Sequence, residues 1–246
     1  MREKLLAQNE KFYWINRWGN PYFGINDKGH VSVQPYIDGP EGDLFELMEA
    51  LVQRGIEAPI LIRFDDIIRD RIRHLQSAFE SAIEEFDYEG TYRIAFPIKV
   101  NPQCTVVELI EKTGQGQHLS LEVGSKPELL AVMTFSDNLQ SLLLCNGYKD
   151  AEYIELALMA RKLGRRSIII IEQPYELALV LDVAGRLDVE PEIGFRMKLS
   201  NKGAGRWVTS GGDLAKFGLN IHEIVLCLEQ LKKSEKLHCL KLLHFH

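Results

Sequence analysis

The sequence predicts an α/β protein whose main body is a parallel (β/α)8 TIM-type barrel, incomplete here with about six strands. Short apolar runs of strand length alternate with segments that carry helix-start signals, and this alternation is typical of parallel βαβ units. Runs such as SIIII are apolar throughout, as strands are when helices cover both faces of their sheet. The six predicted strands are YRIAFPIK, HLSLE, QSLLLC, RSIIIIE, EIGFRMKL and HCLKLLHF.

An open, doubly wound sheet would produce the same alternation of strands and helices. No GxGxxG or Walker A loop follows any predicted strand, which argues against the nucleotide-binding form of that alternative. A barrel carries its functional residues at the carboxyl ends of its strands. A closed barrel needs eight strands, and the sequence stops within the sixth, so we expect a truncated chain. The polar residues at the predicted strand ends are Lys99, Glu122, Asn146 with Tyr148, Glu172, Arg196 and His246.

Residues 12–37 differ in character from the rest of the chain because they are rich in aromatic and turn-forming residues. The stretch Asn-Asp-Lys-Gly at 26–29 lies between two short β-like runs and predicts a hairpin. No helix follows either run. We therefore expect residues 1–40 to form an N-terminal segment that packs on a β-domain absent from this chain, and residues 41–246 to form the partial barrel.

Helix-start signals recur between the predicted strands. An N-cap residue followed three positions later by glutamate matches a capping box. Six apolar residues at helical spacing between Ile68 and Phe86 predict a long amphipathic helix. The three capping-box pairs are Asp43 with Glu46, Ser125 with Glu128 and Asn220 with Glu223.

The composition excludes several classes of partner. The chain of 246 residues has a net charge of −6 and no basic stripe, so we expect neither nucleic acid nor an anionic membrane as a partner. Its four cysteines include no CxxC pair, which gives no sign of a zinc site and suits a reducing compartment. The first residues lack an apolar signal segment, and no run approaches the length of a membrane span. We therefore expect a cytoplasmic protein.

Lys99 stands near the end of the apolar run FPIK and has two interpretations. In the first, it is an ordinary lysine whose stem follows apolar neighbours while its ammonium group reaches solvent. In the second, it is a Schiff-base lysine, because an amine with a lowered pKa in an apolar site can attack an aldehyde. Its position in the sequence does not decide between them.

Other polar residues of the predicted strands allow similar alternatives. His244 and His246 share one face of a predicted strand. They have three interpretations, namely ligands of a metal ion, histidines packed in the core, or a ring stacked on a planar cofactor. The metal interpretation needs a third ligand, and none can be identified. Glu122 and Arg196 lie in apolar strands, where a charge is costly unless it is paired or faces a polar cavity. They predict either one shared polar site or two separate surface ion pairs. The glycine-rich stretch at 201–218 predicts a functional loop that matches no known phosphate-binding spacing.

Taken in order, these segments resemble biosynthetic arginine decarboxylases, which depend on pyridoxal 5′-phosphate and belong to the alanine racemase-like barrel group. The likeness runs from about residue 12 to the end of the chain. The segments that support it are WGNPYFGINDKGHVSV, FPIKVN, LEVGSKPEL, LLLCNGYKD, GAGRWVTSGG with KFGL, and LLHFH.

The resemblance implies roles for four residues. Lys99 matches the lysine that binds the cofactor covalently, and His246 matches the histidine that stacks on the pyridine ring, so both are expected to be catalytic. Glu122 and Arg196 match positions near that lysine and the ring, so they are expected, with Lys99 and His246, to bind the cofactor.

The resemblance also implies an activity, namely decarboxylation of L-arginine to agmatine and CO2 on the route to putrescine, spermidine and other polyamines. The cofactor would be pyridoxal 5′-phosphate, with magnesium as a further family requirement, and the complete protein would be a homo-oligomer. The family's phosphate-binding loop, its glutamate for the pyridine nitrogen and its C-terminal β-domain are missing here, so we expect the chain alone to be inactive. Two alternatives are a decarboxylase of another basic amino acid and a non-catalytic half-barrel that binds a complementary chain.

Overall fold

A computed structural model describes residues 11–114, 119–199 and 215–245. The chain divides into two compact units, one ending at Tyr88 and the other beginning at Glu89. No described helix is both long enough and apolar enough to cross a membrane. The predicted boundary between residues 40 and 41 stays a prediction.

The first unit contains a three-stranded antiparallel sheet in the order β1 (Phe23–Ile25), β2 (Val31–Val33), β3 (Gly42–Asp43). Asn26 closes the β1–β2 turn because its side-chain oxygen accepts hydrogen bonds from the backbone N–H groups of Lys28 and His30. The predicted hairpin is therefore confirmed, and β3 adds a strand that the sequence pattern did not indicate.

The helices of this unit are α1 (Ile15–Trp18), α2 (Leu44–Gln53) and α3 (Asp65–Glu85). Asp43 caps α2 as predicted, but the Glu46 side chain pairs with Lys28 instead of returning to the cap, so the reciprocal half of that capping box is wrong. The long amphipathic helix is confirmed as α3. Of its apolar stripe only Ile72 is buried in this chain.

The second unit is a sheet of six parallel strands in which each strand pairs with the next along the chain, from β4 to β9. Sequential parallel pairing with helical crossovers is the arrangement of a TIM-type barrel, so the predicted half-barrel is confirmed. The central strands are buried along nearly their whole length, whereas β9 alternates between exposed and half-buried residues. The strands are β4 (Ile94–Pro97), β5 (Leu119–Val123), β6 (Leu142–Cys145), β7 (Arg166–Ile171), β8 (Glu192–Met197) and β9 (Leu240–Phe245).

Helices connect these strands, and their predicted starts hold. Ser125 and Asn220 each accept a hydrogen bond from the backbone N–H of the glutamate three residues on. Glu223 completes its capping box, whereas the Glu128 carboxylate accepts from the backbone of Gly124. The helices are α4 (Cys104–Thr113), α5 (Lys126–Phe135), α6 (Ala151–Lys162), α7 (Pro174–Leu187) and α8 (Ile221–Lys233).

Candidate active site

The strand register brings the carboxyl ends of the parallel strands to one edge of the sheet. Pro97 pairs with Glu122, and Arg196 pairs with His244. A cavity of about 590 Å³ opens at this edge. Among the polar side chains that line it are Lys99, Glu122, Glu128, Asn146, Glu172 and Arg196. Three of the four residues proposed from the sequence and the resemblance therefore face a common space.

Lys99 lies at the rim of the cavity and is exposed. The predicted strand through Lys99 is wrong in detail, because β4 ends at Pro97 and a single 3₁₀ turn, Ile98–Val100, follows. Within the described ranges, the Lys99 amine has neither a hydrogen bond nor an ion pair. At the mouth of the cavity, an amine that has no partner among the described residues is available to a ligand.

Glu122 is buried at the end of β5, and its two carboxylate oxygens differ. Oε1 accepts a hydrogen bond of 3.1 Å from the Asn146 side-chain amide. Glu122 Oε2 and Asn146 Oδ1 are buried without a hydrogen-bond partner in the described part of the chain. Because an unsatisfied buried acceptor costs free energy, two such atoms on one cavity wall indicate that a ligand's donor groups bind here.

Two glycines form the wall beside Glu122. A Cβ on Gly147 would lie 2.2 Å from the Gly124 carbonyl oxygen, and the φ of Gly147 is +80°. Both observations require glycine at this position. The Glu128 carboxylate accepts a 2.8 Å hydrogen bond from the Gly124 N–H and fixes that backbone. The segments LEVGSKPEL and CNGYKD therefore meet at the cavity.

Arg196 also lines the cavity and is held there by Glu172. Its Nη1 donates a hydrogen bond of 2.6 Å to Glu172 Oε1. The carbonyl group of Arg196 accepts from the Leu219 N–H at 2.7 Å, and the Phe217 ring lies below its guanidinium. Glu122 and Arg196 thus line one polar cavity, but each pairs with a different neighbour and not with the other.

The interior behind the cavity contains groups that the site chemistry does not use. Complete burial raises the pKa of the Cys145 thiol to about 12, so this cysteine stays protonated. Burial also raises the pKa of Tyr153, whose hydroxyl donates to the Val123 carbonyl at 2.9 Å. Neither side chain is available as a nucleophile near neutral pH.

Several predicted features fall outside the described residues. His246 is one of them, so its role stays a prediction, although His244 lines the cavity. Of the glycine-rich stretch at 201–218, only the last residues are described, and there the Gly218 N–H donates to the Glu172 carbonyl at 3.1 Å. The roles of Lys99, Glu122 and Arg196 also stay predictions.

No specific role was predicted from the sequence for three residues in or directly behind the cavity. Glu172 and Asn146 stood among the polar strand ends, and that position was the signal which could have identified them. Lys149, which packs behind Glu172, carried no such signal because it lies four residues after the end of β6.

Comparison with known proteins relates this geometry to a family. The family described as "Pyridoxal-dependent decarboxylase, pyridoxal binding domain" matches residues 69–246. The chain belongs to this family. The matched range contains every residue of the cavity and the whole parallel sheet.

Curated relatives named biosynthetic arginine decarboxylase match almost all of the chain. The one from Thermosynechococcus vestitus is 50% identical over 98% of the chain, and the one from Phocaeicola vulgatus is 47% identical over 100%. These matches cover 38% and 39% of the two relatives. The chain therefore spans well under half the length of the curated relatives it matches.

Solved structures show the same fold. The crystal structure of the biosynthetic arginine decarboxylase SpeA from Campylobacter jejuni superposes with a TM-score of 0.82 at 31% identity, over 95% of this chain and 37% of that one. A diaminopimelate decarboxylase from M. jannaschi superposes with a TM-score of 0.68 at 22% identity, over 93% of this chain and 48% of that one. At that identity the second likeness concerns the fold alone.

Proposed function

We propose that the chain is the pyridoxal-binding part of a longer enzyme that decarboxylates L-arginine to agmatine and CO2. The observation that supports this most strongly is the 50% identity, over nearly the whole chain, to a relative named biosynthetic arginine decarboxylase. The cavity adds independent support because its lining offers the groups that such a reaction needs.

The cavity residues fit pyridoxal 5′-phosphate. The Lys99 amine at the rim suits an aldehyde, because it has no partner in the described part of the chain. The unsatisfied oxygens of Glu122 and Asn146 suit hydrogen-bond donors on a ligand. When bound, pyridoxal phosphate supplies an electron-accepting ring that takes up the electron pair left by the departing carboxylate.

In this proposal the protein binds and orients the reacting groups. Lys99 would hold the cofactor through its amine, and its Nζ would donate a proton to the substrate Cα after CO2 has left. Arg196, fixed by Glu172, offers its remaining N–H groups to an anionic atom. Glu122 accepts from a donor on the ligand. By resemblance, His246 would also bind the cofactor.

The charge of the lining favours a basic amino acid. Among the described lining residues, three glutamates oppose one lysine and one arginine. An acidic cleft raises the local concentration of a cationic substrate. Arginine meets this requirement, and the names of the relatives favour it over other basic amino acids.

Further parts of the proposal follow from the resemblance. We propose a cytoplasmic homo-oligomer that provides agmatine for polyamine synthesis. Magnesium stays a prediction: the cluster Glu190, His238 and Cys239 could hold a metal ion, but it contains a thiol and an imidazole, whereas magnesium prefers oxygen ligands.

The test is decarboxylation by the complete enzyme that contains this chain. Release of CO2 from arginine, ornithine and lysine is compared for the parent, Lys99→Ala and Lys112→Ala. Lys112 is the matched control because it lies on a surface helix and pairs with Glu108. We expect arginine to be preferred and Lys99→Ala alone to lose activity by a factor on the order of 1,000 or more. Preference for ornithine or lysine, or an active Lys99→Ala variant, would overturn the proposal.

A further inference from the structure

Lys149 is a buried lysine in the segment CNGYKD, and the proposed chemistry does not use it. Its side chain is 1% exposed. Burial of an ammonium group is costly unless carboxylates and hydrogen-bond acceptors surround it. Its Nζ lies 2.5 Å from the Gly147 carbonyl oxygen, 3.4 Å from Glu176 Oε2 and 3.7 Å from Glu172 Oε2.

Glu176 links this lysine to the backbone at the end of β7. Its Oε2 accepts from the Glu172 N–H at 2.7 Å and from the Gln173 N–H at 3.2 Å. Burial raises the pKa of Glu176, whereas the charge of Lys149 lowers it. Lys149 therefore favours the ionised form that accepts both backbone hydrogen bonds.

Glu172 lies between Lys149 and the cavity. Its Oε1 accepts the 2.6 Å hydrogen bond from Arg196, whereas its Oε2 has no hydrogen bond and faces Lys149. The four charges of this network, from Lys149, Arg196, Glu172 and Glu176, sum to zero. Removing Lys149 would leave one buried negative charge uncompensated within a few ångströms of the cavity wall.

We propose that Lys149 is a positioning residue of the cavity, which holds Glu172, and through it Arg196, in the place seen here. Its bond to the Gly147 carbonyl fixes the glycine that packs against Gly124 in the same wall. Without Lys149, the two carboxylates repel each other, Glu172 turns away, and Arg196 loses its fixed partner. The part of this inference that concerns turnover rests on the proposed function.

The test combines a structural and a functional readout. Lys149→Met keeps the volume and removes the charge. We expect the Arg196–Glu172 contact in its crystal structure to break, and cofactor affinity and kcat for arginine to fall by a factor on the order of 10 to 100. The double variant Lys149→Met, Glu176→Gln restores neutrality, and the amide oxygen still accepts the backbone hydrogen bonds. We expect it to recover much of the loss.

The matched control is Arg166→Met. Arg166 also pairs with a buried glutamate, Glu192, but at the opposite end of the strand that leads to Glu172. We expect its kcat and cofactor affinity to stay within about twofold of the parent. Where Lys149→Met does not fold, Lys149→Gln supports the same comparison because it keeps a donor without the charge.

The outcomes separate this inference from the proposed function. An unmoved Arg196 with unchanged cofactor affinity in the Lys149 variants would overturn the positioning role, even if the parent decarboxylates arginine. Failure of the double variant to recover would equally overturn it, since a role in packing alone does not depend on charge. A displaced Arg196 in an enzyme that ignores arginine would support the positioning role and contradict the proposed substrate.

Discussion

Buried carboxylates are hydrogen-bonded to different extents at the two edges of the parallel sheet. At the amino edge, both oxygens of Glu192 have partners, at 3.4 Å from Arg161 and 3.2 Å from Arg166. At the carboxyl edge, Glu122 and Glu172 each keep one buried oxygen without a hydrogen bond. The one of Glu172 lies 3.7 Å from the Lys149 Nζ, whereas Glu122 has no ion pair among the described residues. No other carboxylate oxygen in the described part of the chain is in this state.

The difference teaches how to tell a structural ion pair from a binding group. An ion pair that serves only the stability of the fold satisfies both carboxylate oxygens, as the pairs of Glu192 do at the amino edge. A binding site keeps an acceptor such as Glu122 Oε2 unsatisfied until the ligand arrives, and the ligand then offsets the cost.

The largest effect on stability is expected where the carboxyl edge is tightest. Gly147→Ala places a methyl group against the Gly124 carbonyl in a left-handed conformation, and we expect the free energy of unfolding to fall by about 3 kcal/mol. Gly185→Ala is the control, because it lies within α7 with no atom near its Cβ, and it should stabilise the chain by about 0.5–1 kcal/mol. Urea unfolding of both variants measures this, and equal effects would contradict the packing described.

Exchanging a carboxylate for an amide should lower stability at the amino edge and cofactor affinity at the carboxyl edge. Glu192→Gln loses two ion pairs, so we expect unfolding to become easier by about 1 kcal/mol while affinity for pyridoxal phosphate stays unchanged. Glu122→Gln removes an unsatisfied charge, so we expect stability to change little and cofactor affinity to fall about tenfold. Urea unfolding and absorbance titration measure the two quantities. Equal destabilisation by Glu122→Gln and Glu192→Gln would contradict the difference between the two edges.

The smallest effect concerns pH at the amino edge. A hydrogen bond from His238 holds the pKa of the exposed Glu190 below its ordinary value of 4.5. A lowered folded-state pKa stabilises the protein above the ordinary pKa, and this contribution disappears as the pH falls through the folded-state pKa. As the pH falls from about 5 to 3, the parent should therefore lose a small amount of thermal stability that Glu190→Gln does not lose. An unchanged profile would mean that the ion pair contributes nothing measurable.

Much of the fold was predictable because its signals are local. Apolar runs, N-cap residues and the turn at 26–29 each determine the conformation of a few neighbouring residues, and the six strands and the hairpin follow from them. The exposed stripe of α3 was not predictable, since periodicity shows that a face is apolar but not what covers it. The end of β4 before Lys99 was also missed, because one 3₁₀ turn has no sequence period of its own.

The site was predictable only in part. Glu122 and Arg196 attracted attention because a charge in an apolar strand needs an explanation. The pairing of Arg196 with Glu172, and the burial of Lys149 behind it, depend on strand register and on a loop that folds inward. Such long-range contacts produce no periodic pattern or motif that could be recognised in the sequence.

The most direct test of the account is to trap the cofactor on the chain. Purified chain is mixed with pyridoxal phosphate and reduced with borohydride, and the modified lysines are mapped by peptide mass spectrometry. The account predicts labelling of Lys99 well above that of exposed surface lysines such as Lys112, and loss of that label in Lys99→Arg. Labelling spread over surface lysines, with Lys99 no more reactive than Lys112, would contradict it.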